Sequence, residues 1–230
     1  MRPVISHLGA GIHIFSFSGL ANILIRYFYF FIGLFIAGFG NYLTILAQNL
    51  GVSPWDVFHL GVAKHLPSLG LGTISMIVGA ALLIPSFFLG IKTTFATFIN
   101  MYYYGIVLNR FMSGNIVSPP ANLLMSFLYL ILGILIIGFG TAVYLLADTG
   151  TGPRDALMLG LCKKTGIRIS KIRAGIEISA VILGVLLGGS FGIGTLIFSL
   201  TIGISLEIAM QLLRPIHRKL QSFSSKECNN

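Results

Sequence analysis

Long apolar runs, each closed by a cluster of polar or turn-forming residues, set the rhythm of this chain. Six are long enough to span a bilayer at roughly 20 residues per crossing: residues 27–47, 70–91, 93–112, 124–147, 169–188 and 191–212. They predict α-helices, because a crossing segment without water must satisfy its own backbone N–H and C=O groups. Residues 8–25 are apolar too, but His13, Asn22, two Ser and three Gly interrupt them. We read them as an interfacial or partly inserted segment, with a seventh span as the alternative. Arg26 follows with no small-residue cleavage site before it, which argues against a signal peptide.

The pattern repeats along the chain. Gly33 to Ala47 (GLFIAGFGNYLTILA) lies 100 residues before Gly133 to Ala147 (GILIIGFGTAVYLLA), and seven of the 15 positions are identical. After a one-residue slip, Gly51 to Lys64 (GVSPWDVFHLGVAK) matches Gly150 to Lys163 (GTGPRDALMLGLCK) at six of 14. Further on, Gly90-Ile91-Lys92-Thr93 resembles Gly192-Ile193-Gly194-Thr195. Shared apolar composition aligns Leu and Ile by chance, but not Gly, Pro, Asp and Lys in one order. Each half then holds one span, a segment too short to cross, and two more spans.

An odd number of crossings per half turns the second half upside down. Charge agrees: with the N-terminus inside, all but Lys64 and Arg110 of the 15 Lys and Arg residues fall on inner segments. That is the positive-inside pattern, and it puts both termini in the cytoplasm. The two equivalent loops are treated oppositely. One carries Lys64, while the other carries Arg154, Lys163, Lys164, Arg168, Lys171 and Arg173. The expected fold is an all-α polytopic membrane protein of about six transmembrane helices. These form two inverted three-helix repeats, each with a short re-entrant or interfacial helix. Residues 1–25 form the N-terminal segment, 26–112 the first repeat, 113–123 a linker, 124–212 the second repeat and 213–230 a basic tail.

Composition names the solvent. Hydrophobic residues make up 55% of the 230 and charged residues 9%, against about 25% charged in an ordinary soluble domain. Mean hydropathy is +0.92, so the outer surface should be apolar and the lipid bilayer its partner. The net charge of +9 sits at the edges of apolar runs, which marks topology and not a nucleic-acid face. Cys162 and Cys228 lack metal-ligand spacing and read as free thiols. No phosphate-binding loop, metal cluster, Ser/His/Asp set or HExxH helix is present. No cofactor, metal or catalytic residue is implied.

Candidate chemistry lies in the two short segments. Ser53-Pro54-Trp55-Asp56 reads as a helix start, with Ser at the N-cap, Pro at N1 and Asp at N3 facing free N–H groups. Gly152-Pro153-Arg154-Asp155 reads the same way with Gly at the cap. Asp56 and Asp155 either cap these helices or also face a midplane cavity, and the two readings are compatible. The halves diverge where Trp55 and His59 become Arg154 and Met158, so any site is asymmetric. His59 shares a helical face with Asp56, either as a proton-linked pair or as a plain polar-face histidine. Trp55 serves as an interfacial anchor or a ligand contact.

Glu177 and Glu207 fall inside expected spans, where an unpaired carboxylate is expensive. Arg173 is placed to pair with Glu177, whereas Glu207 has no local basic partner and joins the candidate site. Asn41 and Asn100 read as interhelical hydrogen-bonding residues. Tyr102-Tyr103-Tyr104 reads as an interfacial or lipid-facing belt.

With its Gly-rich first span followed by Gly51-Val52-Ser53-Pro54-Trp55-Asp56, the chain resembles the YczE/YitT group of bacterial integral membrane proteins. Gly150-Thr151-Gly152-Pro153-Arg154-Asp155 and Gly192-Ile193-Gly194-Thr195 look like that group too, and the likeness covers roughly residues 27–212. The resemblance implies a multi-pass protein of the bacterial cytoplasmic membrane. It supplies no catalytic or binding residues.

Two functions compete. The first is a small secondary transporter or permease for a small molecule or ion, with Asp56, Asp155 and Glu207 as polar or proton-coupled groups and Trp55 and Arg154 shaping selectivity. The second is a non-transporting scaffold that holds a protein partner through the 154–173 loop and the basic tail. An intramembrane enzyme lacks a nucleophile–base or metal set, and homo-oligomerisation stays open.

Overall fold

The computed structural model describes residues 20–91, 94–147 and 152–227, with side chains from 24 to 214. Eight helices and no strand occur among the described residues: α1 (Leu20–Leu46), α2 (Pro54–His65), α3 (Leu71–Phe88), α4 (Phe95–Gly114), α5 (Leu123–Leu146), α6 (Pro153–Thr165), α7 (Ile169–Leu186) and α8 (Ile193–Glu227). Helices stand over all six expected spans, and two short ones stand over the segments too short to cross. Residues 8–19 of the expected interfacial segment lie outside the described residues, and α1 begins at Leu20. α8 runs on unbroken through most of the expected tail.

Four helices are long and apolar enough to cross a membrane, over Leu24–Leu46, Leu71–Phe88, Leu123–Leu146 and Ile193–Arg214. α4 and α7 fall short of six such crossings because of their polar content. α4 carries Asn100, three Tyr, Asn109 and Arg110, and α7 carries Lys171, Arg173 and Glu177.

α1 and α5 form the centre. A Cβ on Gly33 would overlap the backbone at Tyr144 and Gly140, and one on Gly140 would overlap Ala37. A Cβ on Gly40 would lie 2.7 Å from the Ile137 nitrogen, and one on Gly133 the same distance from the Gly40 carbonyl. As residue number rises on one helix it falls on the other, so the pair is antiparallel. Lipid offers no hydrophobic force between helices, and close backbone approach through glycine supplies the dispersion contact instead.

The remaining helices attach in matched pairs. α4 packs on α1 and α8 on α5, with Gly38 against Val107 and Gly138 against Ser205. α2 packs on α7 and α6 on α3, with Gly61 against Leu187 and Gly160 against Leu89. The turns after α3 and α7 use Gly90 (φ 74°) and Gly188 (φ 84°). Gly188 and not Gly192 is therefore the structural counterpart of Gly90, four residues from the position that local sequence likeness selects. One pairing has no match: α3 and α4 pack together, whereas α7 and α8 do not form a packed pair.

Side chains complete the core. Tyr42, Ile45, Leu71, Val107, Leu108 and Phe111 cluster between α1, α3 and α4. Ala47, Leu130, Ile134 and Phe198 cluster between α1, α5 and α8. The linker is tied back through Tyr42, whose hydroxyl donates to the Val117 carbonyl at 3.1 Å. Leucine at Gly33 cannot fit without parting α1 from α5, and the expected loss is about 1–3 kcal/mol or more. Thermal unfolding in detergent should show Gly33→Leu well below wild type. Gly175→Ala, which meets open space, should unfold at or slightly above the wild-type temperature, since Gly inside a helix costs about 0.5–1 kcal/mol relative to Ala.

Candidate functional site

The two short helices begin beside each other. Arg154, at the start of α6, places its guanidinium carbon 4.6 Å from the centre of the Trp55 ring at the start of α2. That is within cation–π range, and it joins one half of the chain to the other.

Local chemistry sets the start of α2. Gly51 adopts φ 102°, and a Cβ there would lie 2.5 Å from the Gly192 nitrogen. Glycine is required on both counts. The segment is clamped to the α8 start, with Gly194 N–H donating to the Leu50 carbonyl at 2.7 Å. Ser53 then caps α2: its Oγ accepts from Asp56 N–H at 3.2 Å and donates to Asp56 Oδ2 at 2.5 Å. Pro54 follows at the first helical position, where its missing N–H costs nothing.

Asp56 is the centre of a buried network. Asn41 Nδ2 donates to its Oδ1 at 3.4 Å, and His59 Nδ1 lies 3.2 Å from the same oxygen. Thr44 Oγ1 donates to the Asn41 backbone carbonyl at 2.8 Å and lies 3.2 Å from Asn41 Oδ1, on the side of the amide away from Asp56. Asp56 is 2% exposed and His59 1%. A carboxylate this deep needs several donors to offset lost hydration, and it has three side chains. With Nδ1–H directed at the carboxylate, His59 Nε2 is left as the free end, and it is buried without a partner.

Asn100 Nδ2 is the second buried group without a partner. Asn100 Oδ1 faces the start of α6, 3.8 Å from where a Cβ on Gly152 would stand. Arg154 makes no ion pair among the described residues, yet its charge acts on Asp56, His59, Tyr104, Tyr144 and Asp155. Asp155 also feels Arg173 but accepts no side-chain hydrogen bond among the described residues. Gly152 offers no side-chain cap to α6, so this half lacks the Ser53 bond that locks Asp56.

The structure thus brings together Ser53, Pro54, Trp55, Asp56, His59, Pro153, Arg154 and Asp155. Glu207 is a correction. It lies exposed on α8, its carboxylate accepting from Gln211 at 3.4 Å, and makes no contact with the cluster. Ser205, two residues earlier, faces α5 and donates to the Ile134 carbonyl. At about 100° per residue, Glu207 turns away from that contact. Glu177 pairs with Arg173 at 2.9 Å, as its spacing predicts. The tyrosine triad is a second correction: Tyr102 faces out while Tyr103 and Tyr104 are half-buried, since consecutive helical residues cannot share one face. Tyr104 sits beside Asn41 and Tyr144 beside Phe30. Sequence reasoning left both tyrosines out of the site; it expected interhelical hydrogen bonds of Asn41, which makes one to Asp56, and of Asn100, whose Nδ2 has no partner. No group of three metal-binding side chains occurs among the described residues.

Asp56→Asn should weaken hydrogen bonds worth about 1.5–3 kcal/mol each to a charged group. Asp155→Asn should weaken none of that kind. Thermal unfolding of the two single variants should therefore show a clear loss for Asp56→Asn and a small one for Asp155→Asn. Equal losses would contradict the network as drawn.

Comparison with known proteins fits this helical membrane architecture. Residues 24–211 match the family described as "Family of unknown function (DUF6198)". The "Uncharacterized membrane protein YczE" of Bacillus subtilis is 33% identical over 191 residues, covering 82% of this chain and 87% of that protein. A Haemophilus influenzae "Uncharacterized protein" is 33% identical over 178 residues, covering 77% and 80%. The "Uncharacterized protein YyaS" of Bacillus subtilis is 30% identical over 196 residues, covering 82% and 94%. No solved structure matches the chain. The chain belongs to the DUF6198 family, as a YczE-like helical membrane protein.

Proposed function

We propose that this protein is a small secondary transporter of the bacterial cytoplasmic membrane. Its two halves run in opposite directions, both termini are cytoplasmic, and its substrate site is the cluster around Trp55 and Arg154. One observation carries the reading. Two helices too short to cross start side by side inside a bundle of spanning helices, and close to those starts lie buried polar atoms without partners, His59 Nε2 on α2 and Asn100 Nδ2 on α4. Paired broken segments at the junction of two inverted repeats are where such transporters place their sites. Ionisable groups in that position are candidates for function by default, because their desolvation is expensive.

The free groups indicate what binds. Arg154 and the Asn100 amide offer donors, which suits a small polar solute presenting acceptor oxygens, such as a carboxylate. His59 Nε2 accepts when the ring is neutral and donates when it is protonated, while Asp56 holds the other ring nitrogen. The pair is thereby suited to couple a proton to the solute.

Thermal unfolding of the detergent-purified protein against small carboxylates, other metabolites and ions is the first test. A ligand at 100 times its Kd should stabilise the folded state by about 2.7 kcal/mol. Arg154→Ala and His59→Ala should remove the shift while remaining folded. Proteoliposomes should then accumulate the same compound when an inward proton gradient is imposed. A stabilising ligand that wild-type proteoliposomes never take up would overturn transport and leave a binding protein.

A further inference from the structure

We infer that Glu207 on α8 and Lys171 on α7 are the two sides of a gate, which closes the α7–α8 seam in a second state of the protein. The inference rests on the transporter reading above. Its basis is the one pairing in the fold that lacks a match.

The α3–α4 seam is closed by a polar latch. Asn109 Oδ1 accepts from Gly72 N–H at 2.8 Å, in the first turn of α3, and Asn109 Nδ2 donates to Thr73 Oγ1 at 2.9 Å. Behind the latch, Gly72 and Met76 lie directly against Gly105. Helix starts give the equivalent positions in the other half: Leu71 corresponds to Ile169, and Phe95 to Ile193. The same register turns the Gly38–Val107 contact into Gly138–Ser205 and the Gly61–Leu187 contact into Gly160–Leu89, as observed. Thr73 then becomes Lys171, Asn109 becomes Glu207, Gly72 becomes Ser170, Met76 becomes Ala174, and Gly105 becomes Gly203.

Every one of these second-half groups stands apart in the structure. A Cβ on Gly203 would meet nothing within 4 Å. Lys171 is exposed without an ion pair among the described residues, and the Glu207 carboxylate reaches only Gln211. Yet the chemistry of a latch is intact. The acceptor that receives the first-turn N–H of α3 is kept as a carboxylate, which a helix N-terminus favours more strongly. Its neutral partner Thr73 is replaced by a cation. Ser170, Ala174 and Gly203 are small enough for close helix contact. Closing α8 on α7 would give Glu207 both the α7 N-terminus and Lys171, while opening α3 from α4 would break the Asn109 bonds. Exchange of the two arrangements between inverted halves is alternating access.

The test is a pair of cysteines, Lys171→Cys with Glu207→Cys, in a chain carrying Cys162→Ala and Cys228→Ala. Membrane vesicles are treated with a short rigid bismaleimide, and remaining thiols are then tagged with maleimide–polyethylene glycol and read as a gel shift. Cross-linking should protect this pair from tagging faster than a Lys171→Cys/Leu212→Cys control, Leu212 being exposed on a different side of α8 from Glu207. Adding Asn109→Ala, which removes both hydrogen bonds of the opposing latch, should raise the rate by about fivefold or more, one hydrogen bond in a two-state balance being worth about fivefold. A rate equal to the control, in both backgrounds, overturns the gate, and proteoliposome uptake in that case leaves the transporter reading standing. Cross-linking that responds to Asn109→Ala in a protein that moves no solute keeps the hinge and removes transport.

Discussion

The close antiparallel crossing of α1 and α5 is the contact on which the rest of this molecule depends. In lipid, two apolar helices gain nothing by hiding from solvent, so only direct contact holds them. Gly33 and Gly40 press against Gly140 and Gly133, and each glycine serves as both knob and hole for the other helix. Because the helices run oppositely, the chain leaves α1 at one end of the pair and α5 at the other. Each exit leads into a short helix, and each short helix packs on the third helix of the opposite half. The starts of α2 and α6 therefore meet at Trp55 and Arg154 as a consequence of the crossing. Parting α1 from α5 would also move Asn41, which projects from α1 onto Asp56.

The central polar cluster is asymmetric in a way that has a physical logic. Ser53, Asn41 and His59 saturate Asp56, so its charge is held in one position. Asp155 has Gly152 in place of the serine and Met158 in place of the histidine, and among the described residues it accepts no side-chain hydrogen bond, though Arg173 and Arg154 lie within electrostatic reach. One carboxylate is thus built into the scaffold while the other keeps its acceptor capacity. Arg154, stacked on Trp55 and not bonded to either carboxylate, balances both without being consumed by one. At the proposed site, a polar guest would reach Arg154 without first breaking a strong internal bond.

Much of the fold was legible in the sequence because membranes impose strong rules. Run length located all six long helices, and Ser-Pro-x-Asp and Gly-Pro-x-Asp marked the starts of α2 and α6. Repeated glycines announced contacts but not partners. Only three dimensions show that Gly33 meets Gly140 while its sequence counterpart is Gly133. Helix rotation was the harder quantity. Polar residues stand on both the buried and the exposed sides of α4, and Glu207 is the one charged residue in the apolar part of α8, so nothing local showed that Glu207 turns outward or that Tyr104 turns in. The counterpart of the Gly90 turn was misplaced for a related reason. Backbone φ selects Gly188, whereas local sequence likeness favours Gly192.

The difference between the two seams also bears on which arrangement the protein rests in. Asn109 and Thr73 are neutral, and burying neutral groups that bond each other costs little. Glu207 and Lys171 are charged, and bringing them together removes two ions from polar surroundings. That desolvation offsets much of their attraction, even with good geometry. At matched positions, the neutral latch is therefore the easier one to keep shut, and the charged one the easier to leave open. The resting state should have α3 and α4 joined and α7 and α8 apart, as the structure does. In the transporter proposed above, a solute bound near Arg154 would shift this balance only by the difference in its affinity for the two arrangements. The charged seam would then set how large that difference must be, and the donors around Trp55 are where the proposal has it arise.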